Sequence, residues 1–312
     1  MQLTANTQAF IEAEQYSQFI LKNLHDGLLG EQFYRNVTDF ASGTTLNIKS
    51  VGTVTLQEAA EDAPLEYNPI ETGEITMQIT EYEGDAWYVT DDLREDGTNI
   101  EMLMAERAAE STRAYQEVFE SKFLKVCNDA QTDANANLVN GFPHRIASAA
   151  TNDVVELDAF IKMRLAFDKA NAPAEGRVAI LDPVCEATLN RLVTITHDVT
   201  PFGKDILNSG MSRGMRFVQN LFGWDIILSN RLDKGDFGDG TETVTDGVAN
   251  VFMCVADDQT KPVMMAMRRP IKVEGERNKD RRRDEFVSTS RYGFGVQRVD
   301  TLGIYITSAT NF

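Results

Sequence analysis

The sequence predicts an α+β fold, and three observations lead to that class. The strongest helical pattern begins at Thr98 and continues without a break to about Ala130. Alternation of apolar and polar residues, which is typical of half-buried strands, occurs both before and after that helix. Helical and strand patterns also follow one another without the regular β-α-β order of a doubly wound protein. This mixture indicates α+β.

The composition is that of a globular protein with a large excess of negative charge. Of 312 residues, 42% are hydrophobic and 25% are charged, and the formal net charge is −18. Binding of nucleic acid through its phosphates requires surplus cations, so the balance argues against DNA binding as the principal activity. Three widely spaced cysteines argue against a disulfide framework and suit a reducing cytoplasm. No apolar run approaches the roughly 18 residues of a membrane span, so no membrane partner is expected.

The chain ahead of the long helix predicts an arm followed by a hairpin. Apolar residues at loosely helical spacing over 7–29 predict an N-terminal arm with one or two short helices. Alternation over 46–56 and again over 75–79 predicts two strands, and the link between them is too long for a tight turn. A long two-stranded ribbon is marginally stable alone, so it needs a surface to lie on.

The long helix has a clear start signal. Thr98 and Glu101 form a capping-box pattern, and the following apolar residues recur at spacings of three, four and seven. At about 1.5 Å per residue, some 32 residues give a rod of roughly 48 Å.

Beyond this helix the pattern predicts a compact mixed segment and a strand-rich C-terminus. The expected elements are a helix at 158–170, a strand at 177–183, a helix at 184–193, two strands separated by Gly223 within 215–232, a loop at 235–247, strands at 251–256 and 262–267, and strand alternation over 292–308.

No convergent catalytic, cofactor or metal site is predicted. The three histidines lie apart and lack the spacing of a zinc site: His25, His144 and His197. The acidic stretch with Asp236, Asp239 and Asp246 departs from the calcium-loop pattern, so a solvated turn is favoured. Pairs such as Asp91 and Asp92 arise by chance among 48 acidic residues, which argues against acid-base catalysis.

The charges are unevenly distributed along the chain. Between 58 and 96 there are 13 acidic residues and a single basic one, Arg94. Between 261 and 298 there are 11 basic residues and five acidic ones. The two regions are either complementary surfaces or two unrelated solvated faces.

Four stretches, in this order, resemble the major capsid proteins of tailed bacteriophages, whose fold is shared by encapsulin shells and the floor domain of herpesvirus capsids. They are the hairpin that leads into DDLREDG, the long helix after Thr98, LDAFIKMRLAFDKANAPAEGRVAILDPVCEATLNRL, and GMRFVQNLFGWDIILSNRL with the closing YGFGVQRVDTLGIYI. The third is the most specific, because the family has a helix, a proline-containing turn, Gly-Arg, an apolar strand and a proline at this place.

The resemblance implies a division of the chain into five segments. These are an N-terminal arm (1–42), an extended-loop hairpin (43–89), a peripheral domain with a long spine helix (90–140), a mixed α/β axial domain (141–262) and C-terminal strands of the peripheral domain (263–312). In such proteins the axial domains meet at the centre of hexamers and pentamers, while the hairpin lies across the neighbouring subunit.

The function implied by the resemblance is structural: a coat protein, not an enzyme, that assembles into hexamers and pentamers of an icosahedral shell around double-stranded DNA. The implied location is the virion capsid, after synthesis in the host bacterial cytoplasm. The implied partners are other copies of the chain, a portal protein, optionally a cement protein, and DNA held only non-specifically. About 40 residues precede the hairpin, so we also expect a separate scaffolding protein and no large cleaved N-terminal segment. The alternatives are an encapsulin-like compartment shell and, less favoured, a soluble hydrolase that uses carboxylates.

With this resemblance, the separated charges lead to a hypothesis about subunit contacts. The acidic hairpin would dock on the basic face of an adjacent subunit, and a head-to-tail contact of this kind closes into rings. The candidate contact residues are Glu58, Glu61, Asp62, Glu66, Glu71 and Glu74 on the hairpin and Arg277, Arg281, Arg282 and Arg283 on the basic face.

Overall fold

The computed structural model describes residues 29, 31–38, 45–51, 58, 72–96, 100–131, 138–196 and 220–311. The helices are α1 (Asp91–Asp96), α2 (Ile100–Ala130), α3 (Leu157–Lys169) and α4 (Pro183–Thr196). The strands are β1 (Arg35–Asn36), β2 (Thr45–Val51), β3 (Thr72–Gln78), β4 (Glu81–Thr90), β5 (Leu138–Val139), β6 (Phe142–Pro143), β7 (Arg145–Ala147), β8 (Arg177–Leu181), β9 (Asn220–Leu221), β10 (Trp224–Leu228), β11 (Lys234–Gly238), β12 (Thr243–Cys254), β13 (Val263–Asn278), β14 (Arg283–Val296) and β15 (Leu302–Ser308). This mixture confirms the α+β class.

The predicted long helix is confirmed as α2, whose 31 residues give a length of about 46 Å. Its buried side chains, among them Tyr115, Phe123 and Cys127, follow the apolar spacing seen in the sequence. The thiol of Cys127 is fully buried, and that burial raises its pKa well above the ordinary value. Cys127 therefore acts as a small packing residue. The predicted cap at Thr98 lies outside the described residues.

The part of α2 from Arg107 to Phe123 lies against a four-stranded sheet with the order β1-β13-β14-β4. Strands β13 and β14 form a long antiparallel hairpin, far longer than the strand predicted at 262–267. Strand β4 pairs with β14 over its whole length, so the chain between 81 and 90 belongs to this sheet and not to the preceding hairpin. Strand β1 pairs in parallel with β13, while Tyr34 contacts the rings of Phe119 and Phe123. The end of the N-terminal arm is thereby held against its own subunit.

Strands β2 and β3 form the antiparallel pair predicted from alternation, which we call the ribbon. Its apolar cross-strand pairs are Leu46 with Met77 and Ile48 with Ile75, so one face of the ribbon is apolar. The base of the ribbon, with Met77 buried, packs on Met264 and Ala266 of β13.

Glycines of β14 make room for the base of the ribbon. A Cβ atom at Gly293 would lie 2.8 Å from Cα of Ile79, and one at Gly295 would lie 2.6 Å from Cγ of Met77. Both distances are too short for a real side chain. The Gly-x-Gly spacing puts the two glycines on one face of the strand, where the ribbon crosses it.

A seven-stranded sheet, ordered β7-β15-β12-β8-β10-β9 with β11 paired to β12, forms the second part of the fold. One face packs on the C-terminal half of α2 through Phe123 and Leu124. The other face is covered by α3 and α4, with Trp224 in edge-to-face contact with Phe167 and Phe252. Strand β15 is buried along its whole length and lies between β7 and β12. It therefore belongs to this sheet, although β13 and β14, which precede it in the sequence, belong to the four-stranded sheet.

The predicted loop at 235–247 is wrong, because these residues form the antiparallel hairpin of β11 and β12. The side chain of Asp239 closes its turn by accepting hydrogen bonds from the backbone amides of Thr241 and Glu242, both at 2.9 Å. It also accepts one from the amide of Ala147 at 3.0 Å. Glycines and aspartates that resemble a loop in the sequence thus serve as turn and strand residues here.

Candidate subunit interface

The described acidic residues of the predicted contact are exposed. Glu74 lies on β3, directly opposite Lys49 of β2. Glu58 lies in the part of the sequence that connects β2 to β3. Neither residue forms an ion pair within the described part of the chain. The remaining predicted acidic residues lie outside the described residues: Glu61, Asp62, Glu66 and Glu71.

The predicted base Arg277 is engaged within its own subunit. Its guanidinium forms a bidentate ion pair with the Asp91 carboxylate, with both N–O distances at 2.7 Å. It also forms an ion pair of 3.2 Å with Asp284. Arg94 adds a 2.7 Å ion pair to Asp284. The hydrogen bonds from Arg277 lower the pKa of the Asp91 carboxyl, and this ion pair holds α1 against β13.

Arg283 is also engaged within its own subunit. Its Nε donates a 2.6 Å hydrogen bond to Glu285, and its guanidinium lies 4.3 Å from the centre of the Tyr88 ring. The contact with Arg283 lowers the pKa of Glu285. Arg277 and Arg283 are therefore less available to another subunit than their position in the sequence indicates.

Arg281 and Arg282 occupy the exposed turn that joins β13 to β14. Asn278 shapes this turn by accepting hydrogen bonds from the amides of Asp280 and Arg281, both at 3.2 Å. Neither arginine forms an ion pair among the residues that the structure describes. Both charges are thus free to meet an acidic partner at the tip of the β13–β14 hairpin.

A second basic group was not recognised as a site from the sequence. Arg268, Arg269 and Arg291 surround an open groove of about 570 Å³ together with Tyr82 and Thr80. Arg269 pairs with Glu274 at 3.1 Å, whereas Arg268 and Arg291 have no ion-pair partner in the described ranges. The group forms because Arg269 lies opposite Arg291, and Arg291 opposite Tyr82, across three strands. Only strand register brings these residues together, so no local sequence pattern marks them.

Several acidic residues that the sequence grouped with the hairpin instead attach β4 to α2. Lys122 forms a 2.8 Å ion pair with Glu81, and Arg107 forms one of 2.9 Å with Asp85. The hydroxyl of Ser111 donates to Asp85 at 2.6 Å, and this bond, with Arg107, lowers the pKa of that carboxyl. These acidic residues therefore hold the sheet against α2 within the subunit.

The described residues contain no group of three or more His, Cys, Asp or Glu side chains that could hold a metal ion. His144 is buried against the ring of Phe167, and its pKa is lowered by that burial. His25 and His197 lie outside the described residues. None of the helices within the described ranges has the length and apolar character needed to span a membrane.

Comparison with known families decides what kind of protein this architecture belongs to. A family model described as phage capsid protein matches residues 72–307. The chain belongs to the phage capsid protein family. The matched range contains β3, the long helix, the two large sheets apart from β1, and the basic groups described above, so family membership rests on most of the fold. No curated relative matches the sequence.

Solved structures from phages and from a GTA particle share this fold over almost the whole chain. The capsid structure of cyanophage P-SCSP1u is similar with a TM-score of 0.72 at 18% identity, covering 98% of this chain and 94% of that one. Mycobacterium phage Che8 gives 0.68 at 16% identity, covering 97% and 98%. The capsid of the native GTA particle gives 0.68 at 14% identity, covering 99% and 100%. The predicted capsid fold is confirmed, and the chain is a structural protein of the capsid shell.

Proposed function

We propose that this capsid protein is the major coat subunit, which assembles into hexamers and pentamers of an icosahedral shell around double-stranded DNA. The observation that carries the proposal is the family match over 72–307, together with the capsid fold over nearly the whole chain. The ribbon and the basic groups supply a physical means of self-association.

In this proposal the predicted acidic hairpin of one subunit, which includes Glu58 and Glu74, contacts the basic surface of the next. Glu58 and Glu74 are exposed, as are Arg281 and Arg282 at the tip of the β13–β14 hairpin. The surfaces differ on the two sides of the contact, so the association is head-to-tail and closes into a ring. One exposed ion pair contributes only about 0–1 kcal/mol, so several must act together to set the register of the ring.

The further partners follow from the proposed role. We expect a separate scaffolding protein and a portal protein to take part in assembly, with a cement protein as an optional outer partner. The net charge of −18 supports non-specific enclosure of DNA, because an acidic wall does not hold phosphates in place. Three free, buried cysteines support synthesis in a reducing compartment such as the host cytoplasm.

Negative-stain electron microscopy of the purified full-length protein tests the function. Uniform shells of several hundred ångströms are expected, and a protein that stays monomeric at high concentration would contradict the proposal. Shells expressed with the other phage structural proteins should hold DNA, whereas a protein cargo would point to an encapsulin-like compartment.

The subunit contact is tested by exchanging charges. Arg281→Glu with Arg282→Glu should abolish shells while leaving the thermal unfolding of the subunit unchanged. Adding Glu58→Arg and Glu74→Arg should restore assembly, because the two surfaces become complementary again. Lys162→Glu, an exposed reversal on α3, is the matched control and should assemble. Normal shells from the arginine double variant would reject the charge contact, without rejecting the coat function.

A further inference from the structure

Strand β4 forms an edge of the four-stranded sheet, and among the described strands only β14 pairs with it. Its ten residues pair with β14 in an unbroken register. The amide of Asp91 continues this ladder by donating to the carbonyl of Arg282 at 3.1 Å. Since residues of an antiparallel strand face their partner alternately, the even-numbered residues of β4 turn their N–H and C=O groups to the free edge. These residues are Tyr82, Gly84, Ala86, Tyr88 and Thr90.

The opposite edge of the sheet, formed by β13, carries features that prevent pairing between chains. Strand β1 covers it at Met264 and Met265, and the register of β13 with β14 shifts on both sides of Arg269. Pro270, which has no N–H to donate, comes next. Bulges, prolines and charged side chains are the usual protection of an edge strand. Strand β4 contains no proline and no register shift, so it is the less protected of the two edges.

The acidic side chains of β4 do not guard its free edge. Glu81 forms its 2.8 Å ion pair with Lys122 of α2. Asp85 forms its 2.9 Å ion pair with Arg107 of the same helix. Both carboxylates are thus directed to the α2 side of the sheet and neutralised there. A neighbouring strand would not have to displace or bury a free charge at these two positions.

The face of β4 that points away from α2 is exposed and bears two tyrosines. Tyr82 is 61% exposed and Tyr88 is 56% exposed, and the small residues Gly84 and Ala86 lie between them. Helix α1, which follows β4 directly, turns towards β13 and β14, where two of its side chains form ion pairs. It therefore does not cover the free edge of β4.

We propose that β4 of a second copy of this chain pairs with this edge, antiparallel and about a twofold axis, with Ala86 opposite Ala86. An axis perpendicular to the sheet brings side chains of the same face together. Tyr88 then lies opposite Gly84 of the second copy, where its ring covers the backbone of the other strand. Asp85 lies opposite Trp87, so no two acidic residues of β4 face each other. A register centred on Asp85 would instead bring two carboxylates together, which is unfavourable.

The place of this contact in a shell rests on the proposed function. A head-to-tail contact closes subunits into rings, and a shell also needs contacts that join one ring to the next. A contact about a twofold axis uses the same surface on both copies and supplies such a joint. It also satisfies the free N–H and C=O groups along both strands.

Disulfide trapping in the purified full-length protein tests the pairing. Ala86→Cys should give a covalent dimer when concentrated protein is oxidised, because opposite Cα atoms in such a ladder lie about 5.5 Å apart, within reach of a disulfide. The three natural cysteines are buried and should not react. Tyr82→Cys, on the same edge, is the control and should give at least tenfold less dimer, since the two copies of position 82 would lie about 26 Å apart.

Two results of this experiment would overturn the proposal. One is an equal yield of dimer from the two cysteine variants, which would indicate random collision. The other is the absence of a dimer from Ala86→Cys, including the case in which this variant is cross-linked only to another phage protein expressed with it.

A proline on the free edge tests whether the pairing is needed for the shell. Ala86→Pro removes an N–H that faces the second copy and leaves the ladder with β14 intact. Shells should be lost, while the thermal midpoint of the unassembled subunit stays within about 3 °C of the wild-type value. Ala86→Thr keeps the N–H and favours a strand, so this control should assemble. Normal shells from Ala86→Pro would overturn the proposal and leave the coat function standing, whereas a trapped dimer from a protein that forms no shells would support the pairing and reject the coat function.

Discussion

Gly293→Ala tests whether the base of the ribbon depends on a glycine of β14. The added Cβ atom would lie 2.8 Å from Cα of Ile79 and would also meet the carbonyl oxygen of Gln78. Both neighbours are backbone atoms, so no rotamer change relieves the clash. Overpacking of this kind costs about 1–3 kcal/mol, and displacing Met77 and Ile79 from Met264 and Ala266 loses apolar burial in addition. A total of about 3 kcal/mol corresponds to a fall of about 5 °C in the thermal midpoint of a chain of 312 residues.

Thermal unfolding of the subunit, followed by circular dichroism, measures the effect, and electron microscopy records shell formation in parallel. Gly84→Ala on the neighbouring strand is the control, because its Cβ would meet only ordinary contacts at 3.5 Å from the carbonyl oxygen of Ser288. We expect that control to keep its midpoint within about 2 °C and to assemble. If both alanine variants unfold at the same temperature, the ribbon does not approach β14 closely enough to exclude a side chain at Gly293, and the reasoning is refuted.

Three further substitutions test contacts within the subunit. Tyr115→Phe removes the 2.7 Å hydrogen bond to the carbonyl of Ser288 and should cost about 1–2 kcal/mol in urea unfolding; an unchanged urea midpoint would contradict this. Arg177→Met removes a buried guanidinium that pairs with Asp168 at 2.7 Å and donates hydrogen bonds to two backbone carbonyls. The free energy of unfolding should fall by about 3 kcal/mol. Lys162→Met on α3 is the control and should lower it by less than about 0.5 kcal/mol. Burial raises the pKa of Asp239, but hydrogen bonds from backbone amides outweigh it and hold that pKa below the ordinary value. The Asp239 carboxylate therefore contributes fully to the free energy of unfolding above its unfolded pKa of about 3.9, and the contribution disappears as the pH falls through its folded pKa. Asp239→Asn should flatten this part of the curve of stability against pH. An unaltered curve would refute the assignment.

Local patterns predicted the elements that are defined by local interactions. The helix of 31 residues follows from its apolar spacing, since side chains three and four residues apart share one face. The ribbon follows from alternation, which pairs Leu46 with Met77 and Ile48 with Ile75 in the observed register. The hairpin at β11 and β12 was missed because its glycines and aspartates resemble a loop, and its turn is completed by a distant contact between Asp239 and Ala147.

The candidate interface was predictable in kind but not in detail. The separation of acidic and basic residues is visible along the sequence, yet the structure pairs Arg277 with Asp91, which is 186 residues away. Arg268 and Arg291 meet only through the register of β13 and β14. A count of charges cannot distinguish a base that is paired within the subunit from one that is free.

The sequence by itself determined the fold class, the long helix, the ribbon and the likeness to capsid proteins, because each depends on the order and spacing of residues along the chain. Tertiary structure alone decided which charges remain free among the described residues and why Gly293 and Gly295 stand where the ribbon crosses β14. It also decided that the Tyr292 hydroxyl is buried beside an apolar cavity. The physical reason is that ion pairs, close backbone approach and cavities depend on distances between residues remote in sequence, and only strand register and packing set those distances.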